Sequence, residues 1–307
     1  NTRAGFKDEV RDYNLRFLEG IGVPTIVADI LDAKMLKKAM HHCNLVAHCA
    51  AQPAMTIAIE NPHLDLMTNV VGTFNVLEAA RYWNTAVINC STIHVYGNNI
   101  NEGLVELDTR LALSARDAEM INETYPILNG KLSPLHASKR ATELYIQTYI
   151  DTYNLPAANF RLTGIYGPRQ FGGEDHGWVA NFTIRTMFNR PIKIFGTDKQ
   201  VRDILYVKDA AQAFYDWITN DCPPGTYNIG GGNATSKSIG ELLGLLKDLV
   251  GNESEAELLP KRHGDLWWFI SDYTKAKDAF GWTPVVFPYV GVQELINWVE
   301  QERRLFE

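Results

Sequence analysis

Short apolar runs alternate with longer stretches of helical periodicity along most of the chain. Between Lys7 and Glu19, Val10, Tyr13, Phe17 and Leu18 recur at helical spacing and Gly20 follows as a stop, which predicts an amphipathic helix. Thr25-Ile26-Val27-Ala28 predicts a short strand, after which Asp32 caps a helix running to His41. Leu45–His48 predicts the next strand, a long helix follows from about Leu64 to Trp83, and Ala86–Cys90 predicts another strand. A polar, irregular excursion, Leu104 to Lys131, precedes Ser133-Pro134, where a proline suits the first turn of a helix because its missing N–H costs nothing there. That helix runs to about Tyr153, and Ala157–Arg161 predicts a strand. Farther on come a helix from Val207 to Thr219, a strand Thr226–Ile229, a helix from Ser236 to Leu249 and a closing helix from Tyr289 to Arg304. Such alternation predicts an α/β fold with a mostly parallel sheet covered on both faces.

The start of the pattern departs from a complete doubly wound sheet, whose strand order 3-2-1-4-5-6 makes the first strand central. If Thr25–Ala28 is the third strand, the first strand–helix–strand unit precedes Asn1, together with a glycine-rich turn. Neither Gly172-Gly173 nor Gly230-Gly231-Gly232 has the G-x-G-x-x-G spacing in a strand-to-helix turn. The expectation is roughly 30–35 further residues upstream in the natural protein. The rival is an unusual fold whose sheet begins within this sequence.

Composition narrows the function classes. The 307 residues are 46% apolar and 21% charged, as in ordinary soluble proteins. A net charge of −7 argues against a nucleic-acid or anionic-membrane partner. Cys43, Cys49, Cys90 and Cys222 lack paired metal spacing, so no metal site is expected, and reduced thiols suit a cytoplasmic protein. No apolar run reaches the ~18 residues of a membrane span.

Several runs carry chemistry. In Ser133-Pro134-Leu135-His136-Ala137-Ser138-Lys139, Leu135 and Lys139 are four apart and share one helical face. Ala47-His48-Cys49-Ala50-Ala51-Gln52-Pro53 places small side chains after a strand, and Asn69-Val70-Val71-Gly72-Thr73 puts an Asn and a Gly inside a helix, where both cost stability. Ser91-Thr92-Ile93-His94-Val95-Tyr96-Gly97 follows the next strand. Thr163-Gly164-Ile165-Tyr166-Gly167-Pro168-Arg169-Gln170-Phe171 leads into Gly172-Gly173-Glu174-Asp175-His176-Gly177-Trp178-Val179, whose Trp178 offers either a stacking face for a base or a core residue at a helix start. Arg202, in Ile194–Asp203, has the planar fork that suits a diphosphate, or a surface ion pair with Asp203 or Asp198. Arg262-His263-Gly264-Asp265 and Gly281-Trp282-Thr283-Pro284 complete the set.

Together these runs resemble the extended short-chain dehydrogenase/reductase superfamily and its NAD-dependent epimerase/dehydratase family, with Phe-Gly-x-Glu-Asp-x-Gly-Trp-Val nearest the CDP-tyvelose (CDP-paratose) 2-epimerase group. The resemblance implies a Rossmann-type domain over residues 1–162, incomplete at its start, and a smaller α+β substrate lobe over 163–307 with segments returning to the first. It implies NAD as cofactor and a nucleotide-diphosphate sugar, CDP-linked by preference, epimerised through a keto sugar re-reduced on its other face. It assigns catalysis to Thr92 and Lys139, and cofactor contacts to Asn1, Asp29, Ile30, Cys49, Ala50, Ala51, Gln52, Asn69, Cys90 and Lys139. Substrate contacts fall to His94, Thr163, Arg169, Gln170, Trp178, Arg202 and Arg262. It further implies a homodimer or homotetramer built on helices Leu64–Trp83 and His136–Tyr153, with Leu144, Ile146 and Tyr149 contributing.

Two positions depart from that family. Leu135 stands where it carries the tyrosine that exchanges a proton with the sugar, and leucine has no exchangeable proton. Ile93-His94 replaces the Asp-Glu pair of the 4,6-dehydratases, which argues against dehydration. His136, three residues before Lys139, is a candidate replacement base, since an imidazole titrates near pH 6.5. The alternatives are a nucleotide-sugar-binding protein that has lost turnover, and a lyase or decarboxylase of the same superfamily.

Overall fold

The computed structural model describes residues 8–114 and 120–307. Four parallel strands form the main sheet in the order Leu45–His48, Ala86–Thr92, Ala157–Leu162, Gly225–Ile229. Their register pairs Val46 with Val87, Ile88 with Ala158 and Phe160 with Tyr227. Because successive side chains leave a strand on opposite faces, Val87 and Ala157 pack with Leu77, Ile146 and Tyr149 of helices Gly72–Trp83 and Pro134–Tyr153. Ile88, Ala158, Phe160 and Ile229 pack on the other side with Trp217, Phe280 and Trp282. Burial on both faces is why these strands read as apolar runs rather than as alternation.

The last strand of this sheet comes from residues 225–229, so the chain beyond residue 163 re-enters it. A second sheet centres on Val201–Tyr206, flanked by Gly164–Tyr166 and Trp268–Phe269 in parallel and by Ser236–Ser238 antiparallel. Its core joins Tyr166, Ile204 and Tyr206 to helices Trp178–Met187, Ile239–Val250 and Pro288–Gln301 through Val179, Leu242 and Leu295. Ile192–Phe195 pairs with Ala256–Leu259. No described helix is long and apolar enough to cross a membrane.

Some expected elements take another form. Thr25–Ala28 is not a strand: Ile26 is 62% and Val27 94% exposed, and no described strand lies beside the segment. Without a partner its N–H and C=O groups have no ladder to join, so β-propensity alone does not make it a strand. The first helical stretch divides into Asp8–Arg11 and Tyr13–Gly20. The excursion after Gly103 contains a small hairpin, Leu104–Glu106 with Leu111–Leu113. The long helix is interrupted by a wide π turn, Leu66–Val71, before Gly72. Gly72 packs closely on Ile30: a Cβ there would lie 2.4 Å from Ile30 Cδ1, so a larger residue would have to displace that side chain.

The helix Pro134–Tyr153 presents an unusually polar face to the sheet. Glu143 is wholly buried and accepts from Arg161 Nε and Nη2, both at 2.9 Å, from Ser91 Oγ at 2.7 Å and from Arg140 Nη1 at 2.8 Å. Asn89 donates to Thr142 Oγ1 and to Asn159 Oδ1. Asn69 Nδ2 donates to Ser138 Oγ, and its Oδ1 accepts from the Gln52 N–H. Two imidazoles belong to this buried layer. His48 meets Thr73 Oγ1 at 2.9 Å, and His136 Nδ1 accepts from the Ser133 N–H at 3.0 Å, closing the first turn of the helix. Burial pushes both down to about 4, Lys139 adding to the effect on His48 and His263 to that on His136.

Two outcomes follow for stability. Glu143→Ala leaves the Arg161 guanidinium buried without its carboxylate, so the stability measured by urea denaturation at neutral pH falls by about 3–5 kcal/mol. For the imidazoles the unfolded chain binds more protons than the folded one between about pH 4 and 6.5, so stability is full above that window and falls as pH drops through it. Unfolding free energies from urea denaturation at pH 7.5 to 4 should fall below pH 6.5, by about 3 kcal/mol for each imidazole, and His48→Asn should flatten the profile.

Candidate active site

The carboxyl ends of the main-sheet strands open onto a cleft, the usual place for a ligand in an open α/β sheet. It consists of two adjoining chambers of about 410 and 300 Å³. The first is walled by Cys49, Ala51, Cys90, Thr92, Leu135, Lys139, Thr163 and Gln170. The second is walled by Phe195, Arg185, Lys193, Arg202, Asn181 and Glu174. His94, Asp175, Trp178, Arg262 and Asp265 line both and mark the junction.

The helix Pro134–Tyr153, the signature helix that opens with the Ser133–Lys139 run, positions the first chamber. Its polar face is locked to the sheet, so Lys139 reaches under the strand ends and donates from Nζ to the Cys90 carbonyl at 2.9 Å. Burial lowers the Lys139 pKa, against the opposing effects of Cys90, Asp65, Cys49 and Glu143. One turn earlier Leu135 is 4% exposed and lines the same chamber as Thr92. Thr92 caps the short turn Ile93–Tyr96, its Oγ1 accepting from the His94 N–H at 3.3 Å. The His94 imidazole is pushed down to about 3, mainly by burial and further by His136 and Arg202, so it is neutral at physiological pH.

Aromatic and cationic groups shape the second chamber. Trp178 opens a helix, packs edge-on against Phe182 and lies half-buried at the junction. Arg262 lies over the Phe195 ring at 3.7 Å and pairs with Asp175 at 3.2 Å. Arg202 donates to the Val201 and Leu266 carbonyls and pairs with Asp265 at 3.6 Å, so its carboxylate is Asp265 rather than Asp203 or Asp198. Asp175 also accepts from Thr56 Oγ1 at 2.8 Å, tying the Gly172–Gly177 loop to the helix Met55–Glu60 across the cleft. His94 Nδ1 and Gln170 Oε1 are buried in the lining with no hydrogen-bond partner, as in a site shaped for a polar ligand.

Several expected site residues have other employment. His136 is fully buried, its Nδ1 is held by Ser133, and it lines neither chamber, so it is part of the helix cap and not a base in the cleft. Arg169 points away from the cleft, stacked over Phe17 at 3.4 Å on the outer surface. Asn69 spends its amide on the Gln52 main chain, Asp65 and Ser138, and Gln52 spends its own on Ala54 and Asp65, which makes both positioning groups behind the chamber. Asp29 caps the Leu31 N–H and Ile30 packs on Gly72; neither lines a chamber, nor does the exposed Ala50. Thr163 lines the first chamber while donating to Asp203. Asn1 lies outside the described residues.

Asp175, Asp265, Thr56, Phe195, Arg185 and Lys193 are site residues that motif reading passed over. Asp175 and Asp265 stood inside quoted motifs, but only the fold sets each against an arginine. The chamber residues fit the nicotinamide end of a dinucleotide: small side chains at Cys49, Ala51 and Cys90 leave the floor open beside the Lys139 ammonium.

Comparison with known proteins agrees with this geometry. The NAD-dependent epimerase/dehydratase family profile matches residues 5–230. The CDP-paratose 2-epimerase of Salmonella typhi is 34% identical over 82% of this chain and 76% of its own length. The dTDP-glucose 4,6-dehydratase of Escherichia coli is 28% identical over 88% of this chain and 78% of its own. The crystal structure of Thermus thermophilus UDP-glucose 4-epimerase in complex with NAD superposes with a TM-score of 0.77 at 30% identity, covering 91% of this chain and 85% of that one. A parallel sheet with its cleft at the strand ends, a buried lysine on the signature helix and a sequence match across most of the chain lead to one conclusion: the chain belongs to the NAD-dependent epimerase/dehydratase family.

Proposed function

We propose that the protein is an NAD-dependent epimerase of nucleotide-diphosphate sugars, with CDP-sugars as the favoured substrate class. The observation that carries this reading is the junction of the two chambers. A sugar seated there meets Thr92 on one side, while its nucleoside and diphosphate extend toward Trp178, Phe195, Arg202 and Arg262 on the other. NAD, when bound, supplies the hydride acceptor that turns a ring carbon into a ketone and returns the hydride to the opposite face. Lys139 holds the nicotinamide ribose and keeps positive charge beneath the reacting centre. Thr92 orients the sugar hydroxyl. Trp178 supports a pyrimidine by stacking, worth about 1–3 kcal/mol where bases stack on aromatic side chains. Arg202 and Arg262 exchange their carboxylate partners for the diphosphate.

Leu135 removes the usual proton acceptor, and His136 is committed to the helix cap. His94 is the imidazole common to both chambers, with an unpartnered buried Nδ1; burial keeps it neutral, so in this reading it accepts a hydrogen bond from the substrate rather than carrying the proton. The buried Leu135 favours a second reading, a sugar-nucleotide-binding protein without turnover. Ile93 and His94 supply no Asp-Glu pair, which supports epimerisation over dehydration.

The full-length protein, denatured and examined by mass spectrometry, should release NAD or NADP; no release and no binding at millimolar concentration sink the oxidoreductive reading. In a CDP-sugar assay followed by NADH absorbance, turnover should be slow, since general-base help is worth about 10²–10⁴-fold. Leu135→Tyr should raise it and His94→Gln should lower it. Silence in the wild type and in Leu135→Tyr alike selects the binding-protein reading.

Self-association is also proposed, through helices Gly72–Trp83 and Pro134–Tyr153. Ile146 and Tyr149 turn inward to the core, so the outward surface is instead Leu144, 51% exposed, with Tyr145 and Phe74 beside it. Sedimentation at micromolar concentration should show a dimer or tetramer, and Leu144→Glu should shift it toward monomer without lowering thermal stability.

A further inference from the structure

The wall of the first chamber holds two thiols that the epimerase reading uses only as small side chains, with no role for their sulfur chemistry. Cys90 lies near the end of strand Ala86–Thr92, and Cys49 directly follows strand Leu45–His48. Register pairs His48 with Asn89, so Cys49 comes next to Cys90 across adjacent parallel strands. Strands stand about 4.8 Å apart, inside the roughly 4.4–6.8 Å between Cα atoms that a disulfide tolerates. The sulfurs already touch, with Sγ to Sγ at 3.4 Å. Closing that contact to a bond near 2.05 Å takes an approach of about 1.4 Å. Cys43 and Cys222 have no such neighbour: each turns its sulfur back toward a main-chain carbonyl of the helix before it, Ala39 and Ile218.

We propose that Cys49 and Cys90 form a redox-modifiable dithiol in the wall of the reaction chamber, closed to a disulfide by a peroxide and shielded when the chamber is occupied. The two sulfurs are unequally placed. Cys49 is exposed, whereas Cys90 is half-buried beneath it and its carbonyl holds the Lys139 ammonium. The Cys90 S–H supports a thiolate on Cys49, and the Lys139 charge adds to it, which brings Cys49 down to about 7; Cys90 is correspondingly pushed up. Cys49 is therefore the attacking sulfur and Cys90 the resolving one. The Cys49 thiolate attacks a peroxide oxygen, the O–O bond breaks, and after proton uptake one water leaves, giving a sulfenic acid. The Cys90 sulfur then displaces the hydroxyl as a second water while its own proton is released to it, forming the S–S bond. Overall two thiols lose two electrons and two protons, and one hydrogen peroxide becomes two waters. The disulfide draws Cys90 toward Cys49 beside the carbonyl that anchors Lys139, so the oxidation state of the pair bears on the cofactor floor.

The test uses the full chain, treated with a small excess of hydrogen peroxide, quenched with catalase, denatured, alkylated with N-ethylmaleimide and mapped by mass spectrometry. Alkylatable thiols should fall from four to two, with Cys49 and Cys90 peptides linked and freed by dithiothreitol. In Cys90→Ser, Cys49 should be trapped by dimedone as the sulfenic acid and no intramolecular link should form. Four free thiols after treatment, a link through Cys43 or Cys222, or over-oxidation of Cys49 without linkage overturns the proposal. The shielding rests on the reading that this chamber takes NAD. If dialysis shows NAD bound and the disulfide forms at an undiminished rate, the placement in the chamber wall is overturned. If NAD does not bind at all, the epimerase reading fails while the linkage result still decides the dithiol.

Discussion

The buried polar contact between the signature helix and the sheet is the constraint on which the site depends. Glu143 and Arg161 are both out of water, and charges so placed persist only when they are paired. Glu143 meets this with Arg161, Arg140 and Ser91. Ser138 and Thr142, on the same face, answer Asn69 and Asn89. An apolar helix face slides or rotates against a sheet at little cost. A face carrying three residues with directional partners does not, because each displacement strands a buried donor or acceptor. Lys139 and Leu135 inherit their positions from that lock.

Charge in the cleft is arranged in pairs that a ligand can reorganise. Arg202 faces Asp265 and Arg262 faces Asp175, so the second chamber is near neutral although it is rich in arginine. Burial raises the Asp265 pKa, against the pull of Arg202 and Arg262, which marks the carboxylate as costly to keep ionised there. In the proposed reading, a diphosphate would offer both guanidiniums a better-matched, bidentate partner. Asp175 also bonds Thr56 across the cleft.

The histidines show how a residue type acquires a role from its surroundings. His136 and His94 lie edge to face with ring centroids 5.8 Å apart, and both are neutral through burial. His136 has its Nδ1 fixed by the Ser133 N–H and serves the helix start. Each keeps one unpartnered ring nitrogen, but only His94, on the short turn after Thr92, borders the chambers. Spacing along the helix made His136 the natural substitute for the missing phenol, since it sits three residues before Lys139. Helical periodicity says which residues share a face of one helix, but not which neighbour has already taken their hydrogen bonds.

The sequence alone was enough for the α/β class and the parallel strands from Leu45 onward, because periodicity is a property of short stretches. Resemblance of its motifs to the family pointed to Leu135, Thr92, Lys139, Trp178, Arg202 and Arg262, all of which line the cleft. Tertiary structure alone decided that Thr25–Ala28 is not a strand, since a strand exists only beside another. It alone turned Ile146 and Tyr149 inward and left Leu144 outside, and carried Arg169 away from the cleft to Phe17. It alone set Asp175 and Asp265 against their arginines and brought Cys49 to Cys90, 41 residues later in the chain. Each of these is a contact between distant segments, and which partner a side chain meets is settled by how the sheet and helices pack.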